Sequence, residues 1–485
     1  MSEPRGQSLW APLAWLNNST GGGWARDVLL EIDASGYWFA ITPGVNRARA
    51  MSLSAQILTG PLLPGLINAH SHAFQRAFAG LAERRESEHD DFWSWRDRMY
   101  RVALAISPAQ LKAVASQLYI EMLRGGYTHV CEFHYLHHAP DGRAYDDPLT
   151  MTWMLIEAAR EAGIGLTVLP VLYERAGFNA PALRDDQRRF ATDATWVLAA
   201  QRRISESATG TFVNSGVAIH SLRAAHPESI SKLVAGAQGP IHIHVAEQTG
   251  EVDECVKTTG LRPVEWLMRH HSLDARWQLI HATHVTQGEI EGVATSDAAA
   301  VICPTTEANL GDGTTHIAAW LKADTALSIG SDSHVTRDWR EELRLMEYGQ
   351  RLQHRARNIA ASPATGQTAT AERLFSRVTT GGASAAGHAQ WGLTVGARAD
   401  TVVVDPSEPA LLGVPPSRTL DALVFSSPAL PFANVMVAGR WVVSNDAHPA
   451  QESAASAFSQ AMREIWSEAV LPAHSFSLKK PLRMG

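Results

Sequence analysis

The chain has 485 residues, 45% hydrophobic and 19% charged, which is enough for a large buried core and predicts one big domain with a smaller one. A formal charge of −7 argues against nucleic-acid and anionic-membrane partners, which favour basic surfaces. Three cysteines in no paired spacing, no signal-like N-terminus and no apolar run of about 18–20 residues predict a cytoplasmic protein without disulfides or a membrane span.

In chain order, residues 1–61 carry short apolar stretches at 28–30 and 37–41, broken by Gly and Asn, which read as strands. From 62 to 388 apolar runs alternate with helix-compatible segments. Strands are predicted at 62–67, 127–133, 164–172, 216–220, 241–246, 277–281, 298–303 and 326–330, with clear helices over 108–124 and 149–162. Eight such strands make the pattern of a (β/α)8 barrel, whose active-site residues sit at the strands' C-terminal ends. The polar stretch 354–371 fits a loop or a helix. Strand texture returns at 400–404, 422–425 and 434–443, the last reading as two strands joined by a hairpin turn at Ala438-Gly439. The β-rich ends predict a small β-sandwich domain assembled from 1–61 and 389–485, the latter including a terminal helix or tail.

The sharpest local signal is Pro64-Gly65-Leu66-Ile67-Asn68-Ala69-His70-Ser71-His72. Side chains alternate along a strand, so His70 and His72 can point the same way, and neutral imidazole is a common zinc ligand. His244 ends the fifth strand, His281 ends the sixth, and Asp332 follows the eighth. In a barrel these four imidazoles and one carboxylate converge on one mouth. His134, His137, His138, His270, His271 and His334 read instead as solvated or supporting groups, and His242 as a packed histidine.

These residues resemble the amidohydrolase superfamily. The segments His70-Ser71-His72-Ala73-Phe74-Gln75-Arg76, Phe92-Trp93-Ser94-Trp95-Arg96, His220-Ser221-Leu222-Arg223, His244-Val245-Ala246-Glu247-Gln248, Thr306 to Gly313 and Ser331-Asp332-Ser333-His334 resemble, more narrowly, its formimidoylglutamate deiminases of bacterial histidine degradation. The resemblance implies one Zn2+ per chain, or Fe2+ or another divalent metal, held by His70, His72, His244 and Asp332. Binuclear members bridge two metals with a carboxylated lysine; between His72 and His244 only Lys112 and Lys232 occur, both in helix-like segments, which favours one metal. It further implies that Asp332 takes a water proton, His281 orients the attacking oxygen and Glu247 carries a proton to the substrate nitrogen. The substrate would be a small dicarboxylate formimino amino acid, contacted by Arg223, by Arg96 on the long loop after the first strand, and by Gln75, Tyr135 and His220. Trp93 and Trp95 read as that loop's own packing. Relatives imply a homodimer. One alternative is a mononuclear deaminase of a nucleobase such as guanine, which shares the metal set and favours stacking over an arginine pair. The other is a non-catalytic barrel scaffold, whose signature would be lost ligands; none is missing.

Overall fold

Runs rich in Val, Ile and Leu, buried on both faces, form parallel strands. Eight of them, Leu66–Ser71, Tyr127–His134, Gly165–Leu172, Val217–Ile219, Ile241–Val245, Trp277–His281, Ala299–Ile302 and Ala326–Ile329, pair side by side in chain order. The computed structural model describes residues 6–18, 21–85, 91–208, 211–429 and 431–467. Residues just past the eighth strand close the seam to the first. Ser71 and Asp332 form a parallel bridge, the Asp332 amide donates to the His70 carbonyl (3.0 Å), and the His72 amide donates to the Asp332 carbonyl (3.4 Å). Gly330 permits this approach: a Cβ there would lie 2.6 Å from the His70 Cβ. The chain is thus a (β/α)8 barrel.

The helices between the strands follow local signals. Pro108–Arg124 starts with a capping box, the Ser107 hydroxyl accepting from the Gln110 amide while the Gln110 side chain accepts from the Ser107 amide. Thr150–Ala162 ends on Gly163 in the left-handed region. Within 354–371 there is one 3-10 turn, Pro363–Thr365, before the helix Thr370–Ala385 begins.

Both chain ends meet in a second sheet of eight strands: Ser8–Asn18, Gly21–Ile32, Trp38–Thr42, Gln56–Ile57 and Leu62–Pro64 with Thr401–Val404, Phe432–Val437 and Arg440–Ser444. Leu9, Val28, Leu30 and Trp38 share one core with Leu393, Val403 and Met436, so the sheet folds over itself as a small β-sandwich. The predicted hairpin forms, with Ala438 and Gly439 both at positive φ (47° and 75°) as a type I′ turn requires.

Two elements depart from expectation. The run 62–67 is two strands: Leu62–Pro64 pairs with Ser8–Asn18 and Thr401–Val404, and the barrel starts at Leu66. The chain changes sheets at Gly65, where a Cβ would strike the Thr128 side chain at 2.2 Å. Residues 422–425 lie in the helix Thr419–Phe425, whose buried Leu420, Leu423 and Val424 share one helical face. The terminal helix is Gln451–Ile465; the tail beyond 467 lies outside the described residues. Among the described residues no helix is long and apolar enough to cross a membrane.

Candidate active site

His70 and His72 point inward from the end of the first strand and meet the ends of the fifth, sixth and eighth. Asp332 Oδ1 lies 3.3 Å from both His70 Nε2 and His72 Nε2, and His244 Nε2 is 3.0 Å from His70 Nε2. The ligand atoms of His70, His72 and His244 all lie within 4.8 Å of one another. Backbone carbonyls set two of the rings: His72 Nδ1 is 2.9 Å from the Phe133 oxygen, and His244 Nδ1 is 2.9 Å from the His220 oxygen. A carbonyl only accepts, so each Nδ1 carries the hydrogen and each Nε2 turns a lone pair inward. Burial holds His70 and His244 well below the usual imidazole range and also lowers His72. Neutral nitrogens converging with a carboxylate fit a divalent cation. Behind them, Glu132 accepts from the Ser71 hydroxyl (2.8 Å) and the Ala73 amide (2.5 Å), clamping the turn that carries His72. Burial pushes its carboxyl up to about 8. An acidic residue inside the apolar strand 127–134 was the signal that could have found it.

His281 stands beside this cluster, its Nε2 3.6 Å from Glu247 Oε1 and 3.9 Å from Asp332 Oδ2. Its Nδ1 is 3.3 Å from Glu307 Oε1, which also accepts the Cys303 amide at 2.9 Å. Burial alone would lower this imidazole, but Glu247, Glu307 and Asp332 outweigh it and raise it to about 10. Burial pushes Glu247 up to about 7. Ala246, His281, Ala282, Asp332 and His334 all adopt positive φ between 45° and 68°, so unfavourable backbone is concentrated on this rim. His334 is buried here, its Nδ1 at 3.0 Å from the Ser331 hydroxyl and its Nε2 at 3.0 Å from the His72 carbonyl. His242 is packed lower down against the Ala385 carbonyl.

One cavity of about 540 Å3, its open mouth included, is lined by His72, Gln75, Arg96, Tyr135, His220, Arg223, His244, Glu247, His281 and Asp332. The candidate ligand, catalytic and substrate-contacting residues are therefore brought together, His70 lying just behind. Arg223 is 7% exposed, its Nε has no hydrogen-bond partner, and among the described residues no salt bridge holds it. Gln75 Nε2 donates to the Tyr135 hydroxyl (3.1 Å), leaving Gln75 Oε1 buried and unpaired. Two expectations need correction. Arg96 sits on the helix Phe92–Ala105, capped by Asp91 and Ser94, rather than on a loop. Trp95 lines the cavity, and Trp93 lies beneath both guanidiniums, 4.5 Å from Arg96 and 5.5 Å from Arg223. Tyr100 and Tyr173 also line the cavity and were missed.

The family model described as the amidohydrolase family matches residues 62–442, which spans the whole barrel. The chain belongs to the amidohydrolase family. A curated amidohydrolase relative, the formimidoylglutamate deiminase of Pseudomonas aeruginosa, is 44% identical over 448 residues, covering 91% of this chain and 97% of that protein. An amidohydrolase crystal structure from Brucella melitensis superposes with a TM-score of 0.87 at 40% identity, over 95% of this chain and 99% of that one. An adenosine deaminase from Xanthomonas campestris with bound zinc shares the fold, with a TM-score of 0.77 at 20% identity over 96% and 99% of the two chains. In this amidohydrolase neither Lys112 nor Lys232 reaches the barrel mouth. Lys112 pairs with Glu157 and Glu161 on the outer helices, and Lys232 donates to the Thr195 hydroxyl.

Proposed function

We propose that the chain hydrolyses N-formimino-L-glutamate to N-formyl-L-glutamate and ammonia, using one divalent cation held by His70, His72, His244 and Asp332. The carrying observation is Arg223: a buried guanidinium without a salt bridge, lining the same cavity as the metal donors. Glu251 and Glu247 favour its charge without forming a salt bridge to it, so its hydrogen-bond donors stay open to a substrate carboxylate. Arg96 supplies a second cation, and a substrate with two carboxylates uses both. The 44% identical deiminase supports the same substrate. Three neutral imidazoles and a carboxylate suit zinc, with Fe2+ the next candidate.

When bound, the cation supplies Lewis acidity, lowering the pKa of water from about 15.7 towards about 7. Asp332 accepts a proton from the attacking water, and His281, held through Nδ1 by Glu307, directs Nε2 towards the same point. Glu247 in its protonated form gives its proton to the terminal nitrogen, ammonia leaves as the tetrahedral carbon collapses to formyl, and Glu247 takes back the proton released from the carbon-bound hydroxyl. Gln75, Tyr135 and His220 position the amino-acid part. The reading includes a cytoplasmic location, supported by three buried free thiols, and a homodimer, which rests on the resemblance. Ammonia release from formiminoglutamate, measured beside guanine and cytosine, tests it. Turnover of formiminoglutamate alone is expected, and turnover of a nucleobase instead overturns the assignment.

A further inference from the structure

Behind the arginine end of the cavity lies an amide that does not line it. Gln187 is 1% exposed in the 3-10 helix Asp185–Phe190. Its Oε1 accepts the Arg184 backbone amide at 3.0 Å. A backbone N–H can only donate, so this contact fixes which way the amide faces. Its Nε2 therefore turns to two tyrosines, donating to the Tyr173 hydroxyl at 2.9 Å and the Tyr100 hydroxyl at 3.3 Å. The two hydroxyl oxygens are themselves 3.3 Å apart, and both side chains line the cavity with Arg96 and Arg223.

Counting hydrogens gives the consequence. The amide nitrogen has two, and both go to tyrosine oxygens as acceptors. The two hydroxyls have one hydrogen each, and the contact between them takes one. A single hydroxyl hydrogen is left, and the cavity is where its acceptor must come from. Of the four lone pairs on the two phenol oxygens these contacts use three, so the pair keeps one hydrogen and one lone pair, and with the two guanidiniums beside it donors outnumber acceptors at this end of the pocket. An ionised carboxylate accepts at both oxygens and fits. A carboxamide replaces one of those accepting oxygens with an NH2, turning donors of its own towards a surface that is mostly donors.

We propose that Gln187 is a positioning residue that sets the hydrogen-bond polarity of Tyr100 and Tyr173, so that the pocket selects a carboxylate over a carboxamide. This rests on the dicarboxylate reading above and names the device that enforces it. Gln187 touches no substrate and acts through the two hydroxyls.

The near-isosteric Gln187→Glu reverses the polarity: a carboxylate in that place draws both hydroxyl hydrogens to itself and turns oxygen lone pairs to the cavity. For N-formimino-L-glutamate we expect KM to rise about tenfold or more, kcat to stay within about threefold, and preference for the diacid over the less tolerated of its two monoamides to fall about tenfold. Gln187→Met, which adds no charge, should shift KM and preference the same way by about threefold. In a Tyr100→Phe/Tyr173→Phe background, Gln187→Glu should add less than about twofold, because its route is gone. An unchanged diacid-to-monoamide ratio in both Gln187 variants, or a full Gln187→Glu effect without the hydroxyls, overturns the proposal. Calorimetric binding of N-formyl-L-glutamate and its monoamides repeats the comparison without turnover. A chain that fails to hydrolyse formiminoglutamate would thereby sink the functional reading while still deciding the role of Gln187.

Discussion

The two ends of the cavity are built by different means. At the metal end the donors stand at strand ends and three of the four are steered by backbone: carbonyls of Phe133 and His220 hold His72 and His244, and the barrel's own seam holds Asp332. At the arginine end, Arg96 stands on an inserted helix and Arg223 beyond a strand, and side chains steer them, chiefly Trp93. Backbone-held groups are rigid and suited to bond making. Side-chain-held groups are adjustable and suited to recognition. Substitutions at the first end should therefore appear in kcat, and those at the second in KM.

The largest effect is expected from Asp332→Ala, which removes a ligand, a proton acceptor and the carboxylate next to the seam. Ammonia release should fall about 10^4-fold or more, with bound metal by elemental analysis well below one per chain. Glu247→Gln should lower kcat about 10^2–10^4-fold with KM little changed. Because burial raises Glu247 to about 7, its proton-donating form prevails below that pH and is lost above it. Wild-type kcat should thus decline on the alkaline side of about pH 7, and the Gln variant should lack that limb. Arg223→Ala should raise KM about 10–100-fold, the loss of a charge-assisted contact, while kcat moves little. Trp93→Leu, which removes a surface shared by two guanidiniums, should raise KM about 2–10-fold. A kcat loss at Arg223 with KM intact would break the division between the ends. Graded KM effects at Arg223 and Trp93 would sharpen it.

The metal end was legible in the sequence because a parallel strand has period two and ends at a predictable place. His70, His72, His244 and His281 all announce themselves at the close of apolar runs. The arginine end was legible only in part. Arg96 could be named by resemblance, but its helix was read as a loop: Phe92 to Ala105 mixes aromatic and charged residues without a clean apolar stripe, although Asp91 and Ser94 form a readable cap. Tyr100, Tyr173 and Gln187 left no trace, since Gln187 lies 87 and 14 residues from the hydroxyls it binds and only the tertiary fold joins them. The short run at 422–425 misled because four apolar residues fit either period; burial of Leu420 with Leu423 and Val424 decided for a helix.

The contacts between His70, His72 and Asp332 that zip the eighth strand to the first carry one more consequence. Architecture and chemistry share the same three residues here through different atoms: the seam is backbone and survives replacement of the Asp332 side chain, whereas crowding Gly330 would unfasten the barrel and misplace the ligands together. A cation among those side chains acts as a clasp on the fold as much as a reagent, and stripping it should lower the melting temperature and loosen the mouth before any outer helix responds.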